Sequence, residues 1–410
     1  MGSIGRIVVV GGSLGGLRTT EALYLGGWEG EVVVLSEELH PPYTRPPLSK
    51  TALAHGPDAS TLAFKQRPEA ARAQWRHGVR ALACDLAART VTLSDGDVLS
   101  YDGLVAATGV RARRLPAPLG TAGHVLRTLD DCRNLRTELV AGARVVVVGA
   151  GFIGCEVAAT AVGLGCSVDV VAADDVPMQT PLGTDVGAAV QRRHEREGVR
   201  FHLGRQVAGI VEHDGTSLVT LSDGTEVLGD VLVQAIGSAP SVDWLDGNGL
   251  DLTDGVVCDN GLRIGGRPAA VAVGDVARFP NPLFDDVPRR VEHWQMPVDT
   301  ARRAATTLLA DLAGAPADPT PFTPLPSFWS DQYDLRLQSF GAPGLGERVE
   351  VLDGDLDGDA VVGYHRGDRL VGAVLLGFPR KMVQVRRMVQ AALTAARERE
   401  RERASSVGVG

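Results

Sequence analysis

Two short glycine-rich stretches hold the first chemical signal in this sequence. One reads Gly11-Gly12-Ser13-Leu14-Gly15-Gly16, the other Gly149-Ala150-Gly151-Phe152-Ile153-Gly154. Each follows an arginine and a run of four β-branched residues, and each opens an apolar stretch with helical spacing. Glycines in that setting permit a tight turn and let backbone N–H groups, aided by the helix dipole, meet a pyrophosphate. Ser13 replaces the second glycine of the first copy and is small enough to keep that approach open. Either turn alone is a common structural connection, whereas two in the same context specify two dinucleotide sites.

The next strand ends extend the reading. After the first helix the chain reaches Ser36-Glu37-Glu38, where a carboxylate would accept hydrogen bonds from an adenosine ribose. Glu37 is the first choice and Glu38 the second. The second copy ends in Val170-Val171-Ala172-Ala173-Asp174-Asp175, so Ala172 takes the place of the ribose carboxylate. No arginine follows that could receive a 2′-phosphate, and two aspartates would repel one. The pattern speaks against NADPH, and it makes NADH binding either weak or dependent on Asp174.

The elements that must position these groups also repeat. Residues 6–35 and 144–171 each read as strand, glycine-rich turn, amphipathic helix, glycine and second apolar strand. That is a βαβ unit of roughly 30 residues. A chain of 410 residues, 44% apolar and 22% charged, is globular and has room for two or three domains. No run of eighteen apolar residues is present to span a bilayer, and MGSIGRIVVVGG leads straight into a strand without a secretory pattern. The five cysteines are scattered, which argues against a disulfide framework, a zinc site or a dithiol centre and for a cytoplasmic protein. A net charge of −9 argues against nucleic acid.

Further segments carry a family resemblance: YTRPPLSK at 43–50, LVAATG at 104–109, AVGDVARF at 272–279, RVEHW at 290–294 and FWSDQYDLRLQSFG at 328–341. With the two fingerprints, they make the whole chain resemble the ferredoxin reductases of putidaredoxin reductase and rhodocoxin reductase type, FAD enzymes with the glutathione reductase fold. The implied fold is α/β: two Rossmann-like, three-layer nucleotide-binding domains plus a small α+β C-terminal domain. The implied division is FAD domain at 1–112 and 241–320, inserted NAD domain at 113–240, and C-terminal domain at 321–410. Disulfide-reducing relatives carry a cysteine pair where this chain has proline, leucine and serine, so dithiol chemistry is excluded.

The resemblance also assigns roles. Gly11, Ser13, Leu14, Gly15, Gly16, Glu37 or Glu38, Arg45, Ala81, Ala107, Thr108, Gly109 and Arg127 are implied to hold FAD. So are Gly274 and Asp275, whose carboxylate suits ribityl hydroxyls, and His293 and Trp294 at the mouth of a helix beginning MPVDTARRAA. Gly149, Gly151, Phe152, Ile153 and Gly154 are implied to hold NADH. Lys50 and Glu156, the latter on the first turn of the second Rossmann helix, are implied to meet as a charged pair beside the flavin N5. Trp329, in a segment that alternates as a strand, is implied as an aromatic wall beside the flavin.

The implied activity is electron transfer from NADH through FAD to an acidic 2Fe-2S ferredoxin serving a cytochrome-type monooxygenase or a dioxygenase. Basic candidates for docking that partner are Arg289, Arg290, Arg302, Arg303, Arg380, Lys381, Arg386 and Arg387; as a solvated helix face they would have no such role. The protein is expected to be a monomer or homodimer, with residues 395–410 fraying from a charged helix into a disordered tail. Four features depart from the family pattern: Ala172, the Gln295-Met296-Pro297 helix start, a short stretch between Leu62 and Ala81, and Cys155, expected as a buried thiol. The first two leave open a divergent flavoenzyme that acts directly on a small molecule with weakened or lost NADH use, or a flavin-holding binding protein.

Overall fold

Near-continuous β-branched runs such as Arg6–Val10 and Arg144–Val148 form strands buried on both faces, the pattern of parallel sheets covered by helices. The computed structural model describes residues 5–120 and 122–407, apart from the side chains of Pro118 and of residues 400–407. It divides into two compact units.

The first unit comprises Met1–Thr44, Ala59–Arg111 and Ala239–Pro326. Its central sheet is parallel, in the order Ala270–Ala272, Gly103–Ala106, Arg6–Val10, Glu31–Ser36, Gln74–His77. Helices Leu14–Leu25 and Met296–Leu312 share one apolar core with this sheet, through Leu23, Tyr24, Ala301, Ala304 and Leu308. The antiparallel strands Ala81–Asp85 and Thr90–Leu93 close the same core with Cys84, Val91 and Leu93, which makes three layers. Two strand ends of the sheet, Val10 and Ala106, lead straight into Gly11 and Ala107.

The second unit comprises Arg45–Asp58, Ala112–Ser238 and Ser327–Gly410. The segment Arg45–Asp58 lies within the sequence span 1–112 but packs here, and Thr160 Oγ1 donates to the Ser49 carbonyl at 2.7 Å. A parallel sheet runs Arg200–His202, Ser167–Val171, Arg144–Val148, Val231–Gln234, with helix Phe152–Gly163 following the second glycine-rich turn. The C-terminal part is a five-stranded antiparallel sheet, Ser327–Gln332, Leu335–Gly341, Arg369–Leu376, Ala360–Arg366, Arg348–Gly354. Helix Met382–Val407 covers it with Val385, Val389, Leu393 and Ala396, spaced three and four apart on one buried face.

Two expectations need correction. The segment 328–341 is not one strand but most of a hairpin, turned at Tyr333, whose φ is +54°. The charged C-terminal segment stays helical to Val407, and residues 408–410 of the expected tail lie outside the described residues. The α/β architecture holds, and among the described residues no helix is long and apolar enough to cross a membrane.

Candidate functional site

The two glycine-rich turns are built alike. Gly11 has φ +117° and Gly149 +109°, and a Cβ on either would collide with a backbone carbonyl, of Ala107 or Ala235. Only glycine allows both that conformation and that approach. Gly16 and Gly154 pack equally tightly on the carbonyls of Gly11 and Gly149, so each helix starts directly behind its turn. The Ncap residues, Ser13 and Gly151, make no side-chain cap, and neither helix has an acid in its first turn. Leu14 and Gly15 are buried there, while around Gly151 the space is open. Backbone N–H groups at a helix start without a capping side chain suit a pyrophosphate, so both turns fit a dinucleotide.

In the first unit several expected residues converge on one turn. Ala107 N–H donates to the Val10 carbonyl at 2.8 Å, Thr108 Oγ1 donates to the Ser241 carbonyl at 2.6 Å, and Gly109 has φ +63°. Gly15 faces Val273 and Pro297; Gly274, with φ +73°, also lies against Pro297 and donates to Thr300 Oγ1 at 2.9 Å. Asp275 follows, half-buried, and helix Met296–Leu312 begins beside it with its proline in the first turn. Glu37 is exposed at the end of its strand, 3.9 Å from Arg80 Nη1, whereas Glu38 accepts from the Tyr43 hydroxyl at 2.5 Å. That contact leaves Glu37 the freer carboxylate for a ribose. Ala81 is buried at the start of its strand, opposite Leu93. Burial pushes His293 down to about 4, and Trp294 is exposed, 6.5 Å from Phe64.

In the second unit Lys50 Nζ meets Glu156 Oε2 at 2.6 Å. The carboxylate is nearly excluded from solvent and also accepts from Ser49 Oγ at 2.5 Å and Ser330 Oγ at 2.6 Å. Glu156 lies just beyond the first turn of its helix, so it serves this cluster rather than the helix dipole, which corrects the first-turn placement. Phe152 packs on Phe328 at 4.8 Å, Ile153 is exposed, and Trp329 is half-buried opposite Gln338. Arg45 Nη1 donates to the Arg127 carbonyl at 2.7 Å, which places both beside the Lys50 loop in this unit. Cys155 is fully buried and burial raises its thiol; Cys84 and Cys132 are pushed up to about 11, so these thiols stay protonated.

The corner at Ala172 holds a residue that the sequence reading missed. Ala172 N–H donates to the His202 carbonyl and its own carbonyl accepts from Arg205 N–H, both at 3.1 Å. Arg205 thus meets this strand end through its backbone N–H, from a distant loop, while its guanidinium is paired with Asp223 at 2.8 Å. Ser330 and Gln332 on strand Ser327–Gln332, Ser49 at the end of the turn Pro46–Ser49 and His194 on helix Thr184–Arg196 were missed as well, since none of them carries a chemical signal by spacing alone. Of the basic candidates, Arg289, Arg290, Arg303 and Lys381 are neutralised by Asp285, by Asp254 and Glu292, by Asp318 and by Asp353. Arg302, Arg380, Arg386 and Arg387 are exposed and make no ion pair among the described residues.

Residues 5–301 match the family described as Pyridine nucleotide-disulphide oxidoreductase, and residues 327–407 match Reductase C-terminal. The chain is 37% identical over 390 residues to the anthranilate 1,2-dioxygenase system ferredoxin–NAD(+) reductase component of Burkholderia cepacia, covering 94% of each. It is 32% identical to putidaredoxin reductase of Pseudomonas putida, covering 94% of this chain and 91% of that one. A crystal structure of the covalent putidaredoxin reductase–putidaredoxin complex superposes with a TM-score of 0.86 at 31% identity, covering 95% and 94% of the two chains.

Proposed function

The chain belongs to the pyridine nucleotide-disulphide oxidoreductase family, and from that membership we propose that it is a ferredoxin reductase. It takes electrons from NADH and passes them through FAD to a 2Fe-2S ferredoxin of an oxygenase system. The observation that carries this reading is the pair of matching turns, each ending in a helix start without a capping side chain, in a chain without a dithiol. Bound FAD supplies the conversion of a two-electron donor into one-electron steps.

The protein's own groups bind and orient. The turn Gly11–Gly16, Glu37, the backbone at Ala107–Gly109 and Asp275 would hold FAD, with the N-terminus of helix Met296–Leu312 lending positive potential. Ala81, His293 and Trp294 in the first unit, and Arg45, Arg127 and Trp329 in the second, are each proposed to contact a cofactor. The turn Gly149–Gly154 would hold NADH, and the Lys50–Glu156 pair would fix a dipole where hydride is transferred. The acidic ferredoxin would be attracted by the unpaired arginines of the second unit, Arg380, Arg386 and Arg387, with Arg302 the unpaired candidate on the first. A cytoplasmic location is part of this reading, carried by five free, buried thiols.

Ala172 and the Gln295-Met296-Pro297 helix start favour a second reading, direct action on a small molecule with weakened NADH use. Anaerobic mixing of the FAD-loaded protein with NADH, followed by stopped-flow flavin absorbance and then ferredoxin-dependent cytochrome c reduction, separates the two. Fast bleaching and ferredoxin-dependent turnover are expected. No bleaching by NADH or NADPH would reject the reductase reading.

A further inference from the structure

Glu156 accepts from three donors, and only two of them, Ser49 and Lys50, belong to the loop Arg45–Asp58. The third, Ser330, stands on strand Ser327–Gln332 and donates to Oε1. Gln332, two residues on and so on the same face, donates from Nε2 to Ser330 Oγ at 3.0 Å. Gln332 Oε1 lies 2.8 Å from His194 Nε2, and the Tyr333 hydroxyl lies 3.4 Å from His194 Nδ1. Ser330 and His194 are entirely buried, and Gln332 nearly so.

Chemistry fixes the direction of each bond. An ionised carboxylate only accepts, so Ser330 donates to it, and the serine oxygen then takes the Gln332 amide N–H. That leaves the Gln332 oxygen for His194, whose proton must sit on Nε2, with Nδ1 accepting from Tyr333. Burial lowers the His194 pKa, in keeping with a neutral ring. Every donor in the chain therefore points toward Glu156. A glutamine amide donates and accepts through different atoms, so the chain polarises and holds the carboxylate without handing it a proton.

We propose that Ser330, Gln332 and His194 are positioning residues that hold Glu156 Oε1 so that Oε2 faces Ser49 and Lys50. The proposal rests on the role given above to the Lys50–Glu156 pair. Without Ser330, Oε1 loses the one donor it has among the described residues and stays buried, so the carboxylate turns in search of another. The loss would appear in the rate of hydride transfer, and NADH affinity would be largely spared.

The test compares the FAD-loaded full chain with E156Q, S330A, Q332L and the S330A/Q332L double variant. Flavin bleaching over a range of NADH concentrations separates limiting rate from affinity. Independently, 15N NMR of histidine-labelled wild-type protein reads the His194 tautomer, which needs no variant to fold and no turnover. The expected results are a limiting rate about tenfold lower in S330A, a smaller loss in Q332L, and a double variant no worse than S330A. NADH affinity should change by less than about twofold, because the lost bond acts on the carboxylate and not on the nucleotide. His194 should be the neutral Nε2–H tautomer. A wild-type limiting rate in S330A, additive losses in the double variant, or an Nδ1–H or charged His194 would overturn the proposal. If E156Q itself bleaches at the wild-type rate, the role of the Lys50–Glu156 pair fails and takes the proposal with it. If E156Q is slow while S330A is fast, only the proposal fails.

Discussion

Lys50 Nζ lies 2.6 Å from Glu156 Oε2, with the lysine side chain 15% and the glutamate 4% exposed. A pair this far from water is asymmetric in its energetics: removing one partner strands the other, at a cost of about 3–5 kcal/mol. Lys50→Met should therefore lower the thermal midpoint by on the order of 5–10 °C. Glu156→Gln, which keeps the shape and most hydrogen-bonding capacity, should cost less stability. Both should slow flavin bleaching by NADH at least about tenfold if the pair assists hydride transfer. Calorimetry checks the first claim and stopped flow the second; an unshifted melting curve for Lys50→Met would contradict the buried pair.

Ala172 stands at the strand end where the proposed NADH site would place a ribose carboxylate, and its backbone is held by His202 and Arg205. Ala172→Asp places a carboxylate at that strand end. A charge-assisted hydrogen bond to the ribose should tighten NADH binding about tenfold, with the limiting bleaching rate unchanged. NADPH should bind more weakly than to the wild type, since the new charge opposes its 2′-phosphate. Titration of the bleaching rate against each nucleotide reads both. An unchanged NADH affinity would mean that another group, Asp174 among them, already serves the ribose.

The parts of this site legible in the sequence are those that local chain chemistry dictates. Gly11 and Gly149 are readable because only glycine tolerates their φ and the carbonyls behind them. The β-branched runs are readable because covered parallel strands need them. The hairpin turn at Tyr333 was not, since alternation carries through 328–341 and no glycine or proline marks the turn. The Ser330–Gln332–His194 chain and the Arg205 corner were invisible for another reason. They join residues far apart in sequence, and nothing local distinguishes a serine that serves a buried carboxylate from one that faces water. The basic candidates show the same limit: the sequence counts charges, while the fold decides that Asp254 and Glu292 cancel Arg290.

Acid should destabilise the protein in two separable windows. Burial depresses His293 to about 4 from an ordinary 6.5, so between those values the unfolded chain binds more protons than the folded one. Stability from this group is fully present above pH 6.5 and is lost as pH falls toward 4, by roughly 3 kcal/mol at one pK unit per 1.36 kcal/mol. His194, shifted the same way, adds to the loss. Asp230, held down to about 2 by Arg144, gives its stability above the ordinary carboxylate range and loses it only as pH falls through about 2. Denaturant unfolding at several pH values should show the upper window shrink in His293→Gln. An unchanged slope between pH 4 and 6.5 in that variant would assign the loss elsewhere.

Docking charge should reside where the fold leaves it uncancelled. Arg386 and Arg387 stand exposed on helix Met382–Val407 beside Arg380, with the exposed apolar side chains of Val383 and Met388 on the same helix. That mixture of unpaired cations and apolar area suits an acidic protein partner better than a purely solvated face. Arg386→Glu with Arg387→Glu should raise the KM for ferredoxin at least about tenfold and flatten its dependence on salt. NADH-driven reduction of ferricyanide, which needs no docked protein, should stay unchanged. Arg290→Ala offers the contrast: its guanidinium is occupied by Asp254 and Glu292, so it should lower stability and leave the ferredoxin KM alone. If Arg290→Ala weakened ferredoxin and the helix variants did not, the docking face would have to be sought on the first unit.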